Sequence, residues 1–158
     1  MSKQRGEKIV GNAGENLTMF YISMLGYAAS LIKQDGVDIS VVGGAELKVA
    51  QRVEVKTVLQ CDDMGRYSFT ISKGTDRRCY TRKDCDIIAL VALDIKSVLF
   101  FPVESFTSVK ALTLSKNDFH NPSEKNQWSS VLEYSQKMQE EVLKMHNLRK
   151  EYKVYEKV

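Results

Sequence analysis

The apolar positions of the chain change period as it is read from its start. Leu17, Phe20, Tyr21 and Met24 recur at helical spacing, so the pattern predicts a helix over 12–25, capped by Asn12 and stopped by Gly26. The period then shortens to two. Residues 27–33 and 37–42 read as strands joined at the turn Asp35-Gly36, the second ending at Gly43-Gly44. Within 49–59 a third strand sets Val53, Val55 and Thr57 against Arg52, Glu54 and Lys56. The turn Asp62-Asp63-Met64-Gly65 leads into a fourth strand over 66–72, and 73–83 reads as a polar loop with at most a short helix. Residues 86–93 form a near-continuous apolar run, as a central strand covered on both faces should, and 97–103 is its expected neighbour. Beyond Ser123, a candidate cap, Trp128, Val131, Leu132, Met138, Val142 and Met145 mark the apolar side of a long helix over 123–152. Strands flanked by helices predict an α/β fold: a central mixed sheet, a helix on each side and a C-terminal helix appended.

Length keeps this to a single domain. The 158 residues, 43% hydrophobic and 27% charged with two prolines, suit one globular unit, with a core over about 11–114 and the terminal helix beyond it. No stretch approaches the roughly 18 apolar residues of a membrane span, and the polar start is followed by no signal-peptide core. Cys61, Cys79 and Cys85 are odd in number and lack metal-ligand spacing, so reduced thiols and a cytoplasmic location are expected.

Charge alters the picture through its distribution. Between Lys48 and Lys83 nine basic residues face four acids, whereas the rest of the chain carries fourteen basic residues against sixteen acidic ones. A basic middle in a near-neutral protein suits a surface for a polyanion. Ser72, Lys73, Arg77, Arg78, Tyr80, Arg82 and Lys83 are the candidate contacts; the plainer alternative is a solvated loop.

The chemistry is concentrated earlier. Asp38 is an acid inside an apolar strand, and Glu54 and Lys56, two apart on the third strand, leave the same face. Acids and a lysine gathered at the apolar centre of a small protein are costly unless something charged lies between them. A hard divalent cation, Mg²⁺ or in its place Mn²⁺, takes carboxylate and carbonyl oxygens and serves phosphodiester hydrolysis. Asp35 competes with Asp38, but its place before Gly36 makes it a turn residue. Asp84 and Asp86 read either as a further metal pair or as caps that open a buried strand. His120 and His146 stand in unrelated contexts, and no strand precedes Gly11 and Gly14, which excludes a dinucleotide loop.

Gly14-Glu15, Asp38 and Glu54-Val55-Lys56 together resemble the PD-(D/E)XK nucleases, and the branch that includes group I intron-associated homing endonucleases in particular. The resemblance covers about 11–114. It also takes in the G-x-x-G-E opening (Gly11 to Glu15), the helix exit Met24-Leu25-Gly26-Tyr27, the strand Glu54 to Thr57, the segment Tyr80 to Asp86 and the strand end Phe101-Pro102-Val103. Val37 stands where the pattern usually has proline, and a strand with a basic loop fills 59–86, where that fold usually places a helix. The resemblance implies Asp38, Glu54 and the Val55 carbonyl as metal ligands, Lys56 as the catalytic lysine and Glu15 as an accessory acid. It further implies a Mg²⁺-dependent endonuclease for double-stranded DNA, of the homing kind; two strands to cut with one active site per chain then favour an even-numbered homo-oligomer (dimer or tetramer). A Holliday junction resolvase, or a non-cutting DNA-binding module of the same fold, is the alternative.

Overall fold

The computed structural model describes residues 3–34 and 37–155; the Asp35-Gly36 turn lies outside the described residues. In chain order the elements are α1 (Lys3–Met24), β1 (Ala28–Gln34), β2 (Val37–Gly43), β3 (Gln51–Val58), β4 (Arg66–Thr70), β5 (Ile87–Ala92), β6 (Ser97–Pro102), β7 (Ala111–Ser115), α2 (Lys116–His120) and α3 (Trp128–Tyr155). Five strands form the central sheet in the order β1-β2-β3-β5-β6. β3 and β5 run parallel, with Glu54 opposite Ile88 and Lys56 opposite Leu90, and the other pairs are antiparallel.

β5 is buried along its whole length, as its apolar run predicted. Ile87, Ala89 and Val91 face one core layer, with Ile22 of α1 and Trp128, Val131 and Leu132 of α3. Ile88, Leu90 and Ala92 face the other, with Tyr67, Phe69, Phe106 and Phe119. The two long helices therefore share one face of the sheet. The opposite face is covered by a ribbon of β4 and β7 together with α2; β4 lies in the connection from β3 to β5, where no core helix occurs among the described residues, and β7 comes from beyond β6.

α1 differs from its expected outline. It begins at Lys3, nine residues before Asn12, so Asn12 is an interior residue and caps nothing. Its buried positions are Gly14, Thr18 and Ile22, while Phe20, Tyr21 and Met24 face solvent. The close approach of backbone to sheet decides this: a Cβ on Gly14 would stand 1.8 Å from Thr57 Oγ1, so only glycine lets α1 lie against β3. The other end matches expectation. Gly26, at φ 90°, closes the helix with its N–H donating to Ser23 O and the Tyr27 N–H donating to Ile22 O.

α3 starts at Trp128, after a short 3-10 turn over Glu124–Asn126, and the Ser123 side chain makes no cap bond. Its first turns bury Trp128, Val131, Leu132, Ser135 and Gln136. Gln51, fully buried on β3, accepts from Ser135 Oγ (2.7 Å) and donates to Gln139 Oε1 (2.6 Å), a polar seam that fixes the helix over the start of the central strand. Val142 and Met145, expected on the apolar side, are exposed because the helix has by then run past the sheet. Among the described residues no helix is long and apolar enough to cross a membrane.

Candidate active site

The site opens where two neighbouring strands part. β2 and β3 pair only at Ile39–Val53, Ser40–Arg52 and Val41–Gln51. Beyond Ile39 the Asp38 carboxylate takes the place of ladder pairing, and its Oδ2 accepts the Val55 N–H at 2.8 Å. In an extended strand a residue's N–H and C=O leave on the same edge, so the Val55 carbonyl faces this opening too.

Glu54 and Lys56 project together from β3, as their spacing predicted. Glu54 is only 7% exposed, and its Oε1 accepts from Lys56 Nζ at 2.7 Å. The same oxygen accepts from the Tyr80 hydroxyl at 2.8 Å, and Lys56 Nζ lies 5.1 Å from the centre of the Tyr80 ring. Two donors on Oε1 leave Oε2 without a hydrogen bond among the described residues, and Asp38 Oδ1 is equally unengaged.

Electrostatics bind the acids into one group. Burial, reinforced by the charge of Glu54 and then Glu15, pushes the Asp38 carboxyl up to about 7 against the opposing Val55 N–H and Lys56. Glu15 therefore acts on Asp38 through space. It sits mid-helix rather than in a first turn, so helix-dipole stabilisation does not account for it.

These residues suit a divalent cation of the magnesium type. Such ions are ordinarily held by one or two carboxylates, with water and substrate phosphate completing the shell. Here two mutually repelling carboxylates each keep one oxygen without a hydrogen bond among the described residues, and the Val55 carbonyl lies on the same strand edge. No group of three or more His, Cys, Asp or Glu suited to a metal occurs among the described residues.

Comparison with solved structures finds a bacterial homing endonuclease, I-Ssp6803I, at a TM-score of 0.63 over 84% of this chain and 96% of that one, with 17% identity. The chain shares the fold of that endonuclease. An Archaeoglobus fulgidus Holliday junction resolvase, Hjc, matches over 70% of this chain and 87% of that one, at a TM-score of 0.43 and 16% identity. No protein-family model and no curated protein matches the sequence.

The basic segment of this nuclease fold is more tied down than its sequence suggested. Asp84 is buried and accepts from Arg78 (2.7 and 2.8 Å), Lys73 (3.2 Å) and the Thr81 N–H (3.0 Å), and Arg78 above all holds its carboxyl well below the usual carboxylate range. Asp86, 1% exposed, accepts from the Arg52 backbone N–H and guanidinium and from Arg82. Arg82 also grips Glu104 and reaches Ser135. Asp84 and Asp86 thus serve as anchors for the loop and the start of β5, not as a metal pair. Among the seven residues expected to contact DNA, Tyr80 and Arg82 are turned inward and engaged by carboxylates. Lys73 and Arg78 share Asp84, and Ser72 is half-buried. Arg77 and Lys83 are exposed and form no ion pair among the described residues.

The contact between Tyr80 and Glu54 spans 26 residues and had no local signal in the sequence. The same holds for the Arg52–Asp86 pair across β3 and β5.

Proposed function

We propose that this chain is a divalent-metal-dependent DNA endonuclease of the homing type. The observation that carries the reading is the meeting of Asp38, Glu54 and Lys56 at the parting of β2 and β3, with one oxygen of each acid unbonded among the described residues. The shared fold with a bacterial homing endonuclease supports it.

Asp38, Glu54 and the Val55 carbonyl would hold Mg²⁺ or Mn²⁺. When bound, the cation lowers the pKa of water and offsets charge on the phosphate. Ionised Asp38 and Glu54 fix where that charge sits. Lys56 exchanges its contact with Glu54 for the scissile phosphate and places its ammonium beside the oxygen on which charge develops. Glu15 keeps the local potential negative, which favours a cation over a second ammonium. Arg77 and Lys83 meet the phosphate backbone at the rim. One such site per chain and two strands to cut favour an even-numbered assembly of identical chains.

The test is incubation of long duplex DNA with the protein in Mg²⁺, Ca²⁺ or EDTA, followed by mapping of the ends. Discrete ends in Mg²⁺ or Mn²⁺, with binding but little cutting in Ca²⁺, are expected. Full cleavage in EDTA would end the proposal, and competition between linear and branched DNA reports the preferred substrate.

A further inference from the structure

We infer that Tyr80 is a positioning residue of this site, holding Glu54 with its free oxygen toward the metal position and Lys56 alongside. The role rests on the nuclease reading above and goes beyond it, since Tyr80 entered as a candidate phosphate contact. At 2% exposure its ring is out of reach of a DNA backbone. A buried hydroxyl must find a partner, and the Tyr80 O–H donates to Glu54 Oε1 at 2.8 Å. That bond fixes the rotation of the carboxylate, so Oε2 is the oxygen left to face the opening. The ring does a second job. With its centre 5.1 Å from Lys56 Nζ, it forms a wall that narrows the positions available to a long, flexible side chain.

Tyr80 rests on a rigid base. Its neighbour Thr81 donates both its backbone N–H and its hydroxyl to Asp84, at 3.0 and 3.2 Å, and Arg78 and Lys73 hold the same carboxylate. Supports of this kind, one bond behind a metal ligand, typically change metal affinity by about 10- to 100-fold when removed.

The experiment compares the parental protein with Tyr80→Phe and Tyr80→Leu. Mn²⁺ binding is measured by titration calorimetry without DNA, together with melting in EDTA, DNA binding in EDTA, and the Mg²⁺ midpoint of cleavage. Tyr80→Phe should fold and should bind DNA in EDTA within about twofold of the parent, because no phosphate contact is lost. Its Mn²⁺ affinity should fall by about 10- to 100-fold, with cleavage recovering as Mg²⁺ is raised. Tyr80→Leu also removes the wall beside Lys56, so its cleavage should stay low at saturating metal. Parental Mn²⁺ affinity in a folded Tyr80→Phe would overturn the role, as would a loss confined to DNA binding in EDTA. Should that variant not fold, Asp84→Asn, which loosens Thr81 and with it Tyr80, carries the test, and parental Mn²⁺ affinity there is equally fatal. A parental protein that neither takes up Mn²⁺ nor cuts DNA would remove the nuclease reading itself, a failure distinct from that of Tyr80.

Discussion

Asp38 bears on stability and Lys56 on the rate of the proposed cleavage. A free aspartate titrates near 3.9, whereas burial and the charge of Glu54 push Asp38 up to about 7. A raised acid binds its proton more tightly when folded. Its contribution to stability is therefore full below pH ~4 and is lost as the pH rises through about 7. Asp38→Asn has no charge to bury. Without metal, its melting temperature should gain on that of the parent between pH 4.5 and 8, and a gap independent of pH would contradict the burial of an ionising Asp38. Added Mg²⁺ should favour the parent alone, more strongly as the pH rises. Lys56→Ala should behave differently. It removes a charge that matters most in the transition state, worth about 3–4 kcal/mol, or roughly 10²–10³ in cleavage rate. Binding of DNA in Ca²⁺ should hold within a few-fold. A near-parental cleavage rate in folded Lys56→Ala would leave this lysine as strand surface.

Among the elements, α1 has the least tolerance. Gly14→Ala would put a methyl 1.8 Å from Thr57 Oγ1 and 2.8 Å from Thr57 Cβ, forcing helix and strand apart. Overpacking of this kind costs about 1–3 kcal/mol, measurable by urea unfolding. Thr57→Ala in the same chain should return part of the loss, since it removes Oγ1 and leaves Cβ. An unchanged urea midpoint in Gly14→Ala would show that the helix does not lie this close. The contact also explains what the sequence disclosed and what it hid. Strands β2, β3 and β5 were legible because burial alternates, or is continuous, in step with apolar side chains. The buried stripe of α1 is Gly14, Thr18 and Ile22, two of them chosen for closeness rather than apolarity, so of the four positions the hydrophobic spacing marked only Leu17 packs against the core. Residues 3–11 carry no apolar period at all, and the helix start went unseen. β4 was legible as a strand but not as half of a ribbon, because its partner β7 pairs Thr113 with Ser68 across 45 residues. Within the site, Asp38, Glu54 and Lys56 were legible because neighbouring strands and two-residue spacing bring them together. Tyr80 joins them only through the long β3–β5 connection.

Over the whole molecule, the basic middle divides into cations that build and cations that face outward. Arg52, Arg78 and Arg82 neutralise buried Asp84 and Asp86, so their charge is largely spent inside the protein. Arg77 is exposed. Arg77→Ala should lower the salt dependence of DNA binding by about one unit of slope and leave melting unchanged. Arg78→Ala should instead destabilise the fold by about 1–3 kcal/mol, because buried Asp84 loses its closest donor. Equal effects of the two substitutions on slope would mean that Arg78 also lies on DNA.

The hairpin-like tip beside these arginines sets a rule for how the chain can vary. Lys73 and Arg78 face each other across its base and both hold Asp84, which leaves Gly74 to Arg77 as a four-residue cap outside the framework. Gly74 and Arg77 take φ of 74° and 52°, a conformation that glycine, asparagine and aspartate adopt most readily. In a library randomised over the cap, the members that melt above the parent should therefore be enriched in those three residues at the two ends and stay diverse at positions 75 and 76. Such a pattern is one of interchangeable parts: the outer surface can drift from lineage to lineage while Asp84, Thr81 and Tyr80 beneath it stay in place.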